Sequence, residues 1–269
     1  MSRSRRGERA PWPLAVPGAI GLLFLVFPLV ALVIRVPWRS MPTLLGGDEV
    51  WPALRLSLLS ATAATALCLL VGVPLAWLLA RSQIPGRQLV RALVTLPLVL
   101  PPVVGGIALL LAFGRSGVAG RPLFEATGYS LPFTTAAVVV AETFVAMPFL
   151  VITVDGALRR LDAGHEEASA TLGAGRWTTF RRVTLPMVGP SVLAGAVLAW
   201  ARALGEFGAT ITFAGSFPGT TQTMPLAVYL TAQDDLEGAL ALSLLLLVVS
   251  LLVLLALRDR WLRAGSVAS

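Results

Sequence analysis

The chain contains no lysine: all 21 of its basic residues are arginine. That absence removes the Walker A loop, whose phosphate-reaching residue is a lysine. It also removes Schiff-base chemistry, whether with pyridoxal phosphate or retinal. One cysteine (Cys68) and one histidine (His165) supply neither an intrachain disulfide nor the ligands of a structural zinc site. No metal and no cofactor bound by this chain is expected. Charge of either sign is scarce too, at 13% of 269 residues, against about 25% in a soluble domain. Hydrophobic residues reach 56% and mean hydropathy is +0.82. Such a chain is expected to dissolve in lipid rather than in water.

What the sequence does have is long uncharged runs. Ala10–Ile34 and Leu56–Ala80 are 25 residues each, Ala92–Gly114 is 23, and Val183–Ala201 and Ala239–Leu257 are 19 each. A span needs about 20. A further run, Ala126–Val154, is interrupted only by Glu142. The pattern predicts an all-α integral membrane protein with six transmembrane helices, near 15–36, 56–80, 91–113, 132–154, 187–207 and 238–257. Pro17, Pro28 and the length of the first apolar stretch fit a retained anchor rather than a cleaved signal peptide.

Arginine placement sets the expected orientation. Fifteen arginines fall in the N-terminal tail, the second and fourth loops and the C-terminal tail, against three (Arg39, Arg115, Arg121) in the other loops. Both termini are therefore expected in the cytoplasm. The formal charge of +7 is this topological bias, spread over four segments, and is no footprint of nucleic acid. The expected organisation is a cytoplasmic tail (1–14), a first helix with an external loop (15–53), a permease core (54–257) and a C-terminal tail (258–269).

Most loops are short, but residues 155–186 form a longer cytoplasmic one. Asp162 can cap a short helix over Ala163–Leu172, Gly173 can close it in a left-handed conformation, and a second helix fits Arg176–Val183, ending before Pro186. An amphipathic elbow on the headgroups and a docking surface for a cytoplasmic partner both fit this composition. The run Glu167-Ala168-Ser169-Ala170-Thr171-Leu172-Gly173, then nine residues, then Val183-Thr184-Leu185-Pro186, resembles the EAA loop of binding-protein-dependent ABC permeases. That pattern reads E-A-A, three residues, G, nine residues, I-x-L-P. Glu167, Ala168, Gly173, Leu185 and Pro186 match it, while Ser169 and Val183 depart mildly.

The resemblance covers roughly residues 54 to 257. It implies the type I ABC importer permease fold, with both termini cytoplasmic, in a non-catalytic transport subunit of the cell membrane. The loop would be a coupling helix seated in a separate cytoplasmic ABC ATPase dimer, which uses the ATP. A second copy of the chain, an extracytoplasmic binding protein and membrane lipid would be the other partners. The missing Walker A loop agrees with an energy source on another subunit.

Ala201–Tyr229 resembles the molybdate permease branch of that family more closely than its sulfate and thiosulfate relatives. Both branches share Leu204-Gly205-Glu206-Phe207-Gly208-Ala209, while Thr210-Ile211-Thr212-Phe213 and Pro218–Thr223 favour molybdate, as does Thr95–Pro102. The resemblance thus implies a molybdate-binding protein as the external partner and molybdate, with tungstate hard to separate from it, as cargo. Sulfate or thiosulfate import is the runner-up. Neutral donors such as Thr210 and Thr212 suit a pathway that must release its anion, though an ordinary polar external loop accounts for them too.

Arg202 and Glu206, four apart, are expected to pair on one face of the fifth helix, either as a structural ion pair or as part of a gate. Glu142 needs a donor or a proton, and Arg202 is one candidate. Pro101-Pro102 with Gly105-Gly106 is the expected break lining the pathway, although packing also explains it. An ion-gradient-driven transporter would call for internal repeats and midplane acidic relays, and the chain has no clear repeat and one midspan acid.

Overall fold

The computed structural model describes residues 12–82 and 84–265, with side chains described up to residue 256. Residues 1–11 and 266–269 of the two expected tails, Arg3, Arg5, Arg6 and Arg9 among them, lie outside the described residues. The described residues are all-helical with no strand, as lipid demands: a helix satisfies its own backbone polar groups where no water can. Helix α1 spans Trp12–Arg35 and α2 Met41–Leu45; α3 (Val50–Leu67) runs through a π-turn into α4 (Val73–Arg81). Then come α5 (Arg87–Val99), α6 (Pro102–Phe113), α7 (Gly120–Thr127) and α8 (Thr135–Arg160). The loop carries α9 (Gly164–Thr171) and α10 (Arg176–Thr179), and a π-turn leads into α11 (Leu185–Leu204). The chain closes with α12 (Gly208–Phe213), α13 (Met224–Asp234) and α14 (Leu236–Gly265).

Five stretches among the described residues are single helices long and apolar enough to cross a membrane: Trp12–Arg35, Val50–Arg81, Thr135–Arg160, Arg176–Leu204 and Leu236–Ala256. The protein is thus a multi-pass membrane protein. The expected span at 91–113, with its break at Pro101-Pro102, is a pair of helices, α5 and α6, bent by 117° from one to the next. The cause is local. Leu100 is turned extended (ψ 133°) by the proline after it, Pro101 likewise (ψ 133°), and neither proline has an N–H to continue a ladder. Several other helices outrun their apolar runs, because polar residues do not end a helix where water or a neighbour receives the side chain.

Two π-turns, Cys68–Gly72 and Phe180–Thr184, each end two residues before a proline, Pro74 and Pro186. A proline ring clashes with the carbonyl four residues back, and a widened turn at that carbonyl relieves the clash without ending the helix. The expected stop before Pro186 is therefore absent: Arg176–Leu204 is one continuous helix.

Helix α8 lies at the centre, packed by α3, α4, α11 and α12. Small residues (Ala61, Ala64, Ala76, Ala146, Ala199, Ala203) fill the core, which lets backbones approach closely. At Gly195, an added Cβ would stand 2.9 Å from Leu150 Cδ1 and 3.2 Å from its Cα. Helix α1 buries no residue and touches the bundle at α14.

Candidate functional site

The polar residues singled out by the sequence gather at the two ends of Arg176–Leu204. At 29 residues and 1.5 Å per residue, that helix is about 43 Å long.

At one end lies the 155–186 loop. Asp162 accepts the Gly164 N–H at 3.0 Å, although the cap position itself falls on Ala163. Gly173 sits at φ 84° with no neighbour where a Cβ would project, so conformation alone demands glycine. The turn is closed by Gly173 N–H to Ala170 O (2.9 Å) and Ala174 N–H to Ser169 O (3.1 Å). Ser169 turns inward and shares a 3.0 Å hydrogen bond with the Thr179 hydroxyl. Val183 and Leu185 are half-buried, and Leu185 packs on the core. Glu167, Ala168 and Pro186 are exposed, and Leu172 is 89% exposed.

Sequence reasoning passed over the neighbour that ties this loop down. Glu166 Oε2 lies 3.0 Å from Arg81 Nε at the end of α4, and Glu166 Oε1 accepts the buried Thr184 hydroxyl at 2.7 Å. Arg81 also donates to Leu161 O at 3.2 Å. Close by, the buried carboxylate of Asp155 pairs with Arg91 and Arg159, both at 3.0 Å. Asp155 and Arg159 stand one turn apart on α8, but the other partners are far apart in sequence, so no local spacing could have paired them.

At the other end, α11 stops at Leu204, not at 207 as expected, and the chain restarts as α12. Glu206 lies in the break. It pairs with Arg202 at 2.6 Å and accepts the Ala209 N–H at 2.7 Å, so it neutralises the cation and caps α12 together. Glu142 is not paired with Arg202. Its Oε1 accepts from Ser60 of α3 at 2.8 Å, and its Oε2 has no hydrogen-bond partner. The reading of Thr210–Thr223 as an external polar loop fails in part, since Thr210, Thr221, Gln222 and Thr223 are buried. Thr210 Oγ1 and Thr223 Oγ1 have no partner. Thr212 donates to Gly208 O at 2.8 Å. Ser57, also passed over, accepts the Met224 N–H at 2.7 Å and fastens α13 to α3.

The two broken helices meet each other. A Cβ on Gly106 would stand 2.6 Å from Thr212 Cβ and 2.8 Å from Ala209 O; one on Gly208 would stand 2.7 Å from Pro102 Cβ. Gly105 is buried under Phe144, 3.1 Å from where its Cβ would be, while Pro101 at the bend is exposed. Thus the geometry brings Arg202, Glu206, Thr210 and Thr212 together with the Pro101–Gly106 segment, and leaves Glu167–Pro186 at the far end of the lever.

The sequence profile of the family described as "Binding-protein-dependent transport system inner membrane component" matches residues 72–264. The "Molybdenum transport system permease protein ModB" of Mycobacterium bovis is 53% identical over 91% of this chain and 92% of its own. The protein of the same description from Escherichia coli K12 is 40% identical over 80% and 94%. The "Sulfate transport system permease protein CysT" of Escherichia coli K12 is 36% identical over 90% and 89%. Among solved structures, a bacterial ABC transporter involved in alginate import has a chain that superposes with a TM-score of 0.73, covering 94% of each at 20% identity. The MetNI methionine ABC transporter gives 0.60 at 19% identity, covering 88% and 98%. These last two likenesses are of fold alone.

Proposed function

The chain belongs to the binding-protein-dependent transport system inner membrane components, and on that premise we propose that it is the membrane-spanning subunit of an ATP-driven molybdate importer. The observation that carries the cargo is the 53% identity to a molybdenum permease along nearly the whole of both chains, against 36% to one sulfate permease and 42% to another over 68% of this chain. The finer reading counts the α5–α6 pair as a sixth span and sets both termini in the cytoplasm. Two copies would enclose the pathway, a separate ATPase dimer would hydrolyse the ATP, and a molybdate-binding protein would deliver the anion from outside.

The geometry supports a mechanism for such a subunit. Exposed Glu167, Ala168 and Leu172 offer the loop's outer surface to the ATPase. Movement of α9 is passed to α4 through Glu166–Arg81 and to the α11 lever through Glu166–Thr184. The lever's far end is the Arg202–Glu206 break, and α12 beyond it is packed on α6. A shift there would part Gly106 from Thr212 and Gly208 from Pro102, opening the layer where Thr210 and Thr223 carry free hydroxyls. No arginine occurs between Gly205 and Glu237, so an oxyanion would meet neutral donors and be held weakly enough to leave.

The test is reconstitution in vesicles with the cognate ATPase and binding protein. ATP-dependent accumulation of molybdate, with sulfate a poor competitor, is expected. Equal transport of sulfate and molybdate, or of sulfate alone, would replace this reading with the sulfate one.

A further inference from the structure

Between the end of α4 and the membrane-facing side of the 155–186 loop lie two adjoining hollows that the transport reading does not use. One, of about 520 Å³, is polar and includes Trp77, Arg81, Ser82, Glu166, Arg176 and Thr179 in its wall. The other, of about 340 Å³, is formed by Pro74, Trp77, Leu78, Arg176, Trp177 and Phe180. Both lie within the volume range of ligand sites, about 300–1,000 Å³. Trp77, Arg176 and Phe180 belong to both walls, so the two are one groove with a basic end and an apolar end.

The apolar end is an aromatic file. Phe180 stacks on Trp177 at 5.7 Å between centroids and meets Trp77 edge-on at 6.0 Å. Trp177, on the first turn of Arg176–Leu204, is 70% exposed and Leu78, on the last turn of α4, 42%; at the ends of spans, aromatic side chains mark the membrane interface. At the basic end, Arg81 and the Thr184 hydroxyl neutralise the Glu166 carboxylate. Among the described residues, Arg176 has no carboxylate within ion-pair distance. One guanidinium is therefore left without a carboxylate in a wall that also holds Ser82, next to an apolar trough.

We propose that this groove binds one anionic phospholipid, its phosphate held by Arg176 and Ser82 and an acyl chain laid along Trp77, Trp177 and Phe180. A soluble oxyanion would fill the basic end and leave the aromatic file bare. A hydrophobic peptide would leave Arg176 unpaired, whereas a phospholipid completes both ends. The exposed loop residues left to the ATPase (Glu167, Ala168, Leu172) lie outside both walls of the groove, so both partners fit together. The site depends on membrane embedding and not on the cargo, so a failed molybdate assay would leave it standing.

The permease–ATPase complex in nanodiscs of equal phosphatidylglycerol and phosphatidylcholine tests it, with retained lipid counted by native mass spectrometry after detergent extraction. One phosphatidylglycerol per permease chain is expected. Arg176→Gln should lower its retention about fivefold, the equivalent of about 1 kcal/mol for one basic residue at a lipid surface. Arg176→Lys should largely restore it, Trp177→Ala should lower it, and Arg160→Gln, an exposed arginine outside the groove, should leave it unchanged. Equal retention of both lipids, undiminished retention in Arg176→Gln, or loss of the lipid from the assembled complex would each overturn the proposal.

Discussion

Single residues hold the two broken helices together by leaving atoms out. Gly106 and Gly208 let α6 and α12 touch backbone to backbone, and a Cβ at Gly106 would fall 2.6 Å from Thr212 Cβ. Gly106→Val should therefore force the helices apart, at about 1–3 kcal/mol for an overpacked contact. It should lower the thermal midpoint in detergent and slow transport, while Gly156→Ala, which meets open space on α8, should leave both unharmed. Polar residues act here through their partners. Ser60→Ala leaves the buried Glu142 carboxyl without its donor, at a cost of about 1–3 kcal/mol. Replacing both members, Ser60→Ala with Glu142→Leu, should recover much of that stability, since no polar atom is then left unpaired; equal midpoints for the single and double variants would refute this pairing. The Arg202–Glu206 pair was legible because its members stand one turn apart. Ser60 and Glu142, 82 residues apart, were not, because only the packing of α3 on α8 brings them together.

At the scale of elements, the uncharged runs located the spans well, since a 20-residue apolar stretch has one stable form in lipid. Helix ends and breaks were read less well. Pro101-Pro102 marked a break, but the 117° turn depends on how α6 packs on α12. The latter was missed because six residues (Gly208–Phe213) carry too few periods to mark a helix, so their threonines were read as pathway donors or an external loop. Gly173 is the reverse case: its left-handed role was plain from its place after a short helix. With φ at 84° and free space around it, Gly173→Leu should cost about 1–2 kcal/mol of backbone strain without disturbing any span. The chain should insert normally, yet stimulation of ATP hydrolysis by the binding protein should fall severalfold. Normal stimulation in that variant would remove the loop from the coupling path.

The whole molecule is an asymmetric object in two senses. The expected topology assigns its loop and tail arginines 15 to one side and 3 to the other, and its buried polar layer sits at the end of α11 opposite the arginine-rich loop. The proposed function ties the two together: a loop pulled by a soluble motor would need the motor's side of the membrane, and a break that received an anion would need the other. The positive-inside bias carries the first as an expectation, whereas the second required the fold. That link makes one orientation testable with two positions. His165 is exposed on α9 and Thr220 is exposed beyond α12, so a thiol at either site is accessible. In a Cys68→Ala background, His165→Cys should react with an impermeant maleimide only after cells are opened, and Thr220→Cys should react in intact cells. Reaction of the His165→Cys variant in intact cells would invert the protein in the membrane and detach the loop from any cytoplasmic ATPase. Reaction at neither site until opening would instead place Thr220 inside and require an even number of crossings between them, whereas the path through Arg176–Leu204 provides one.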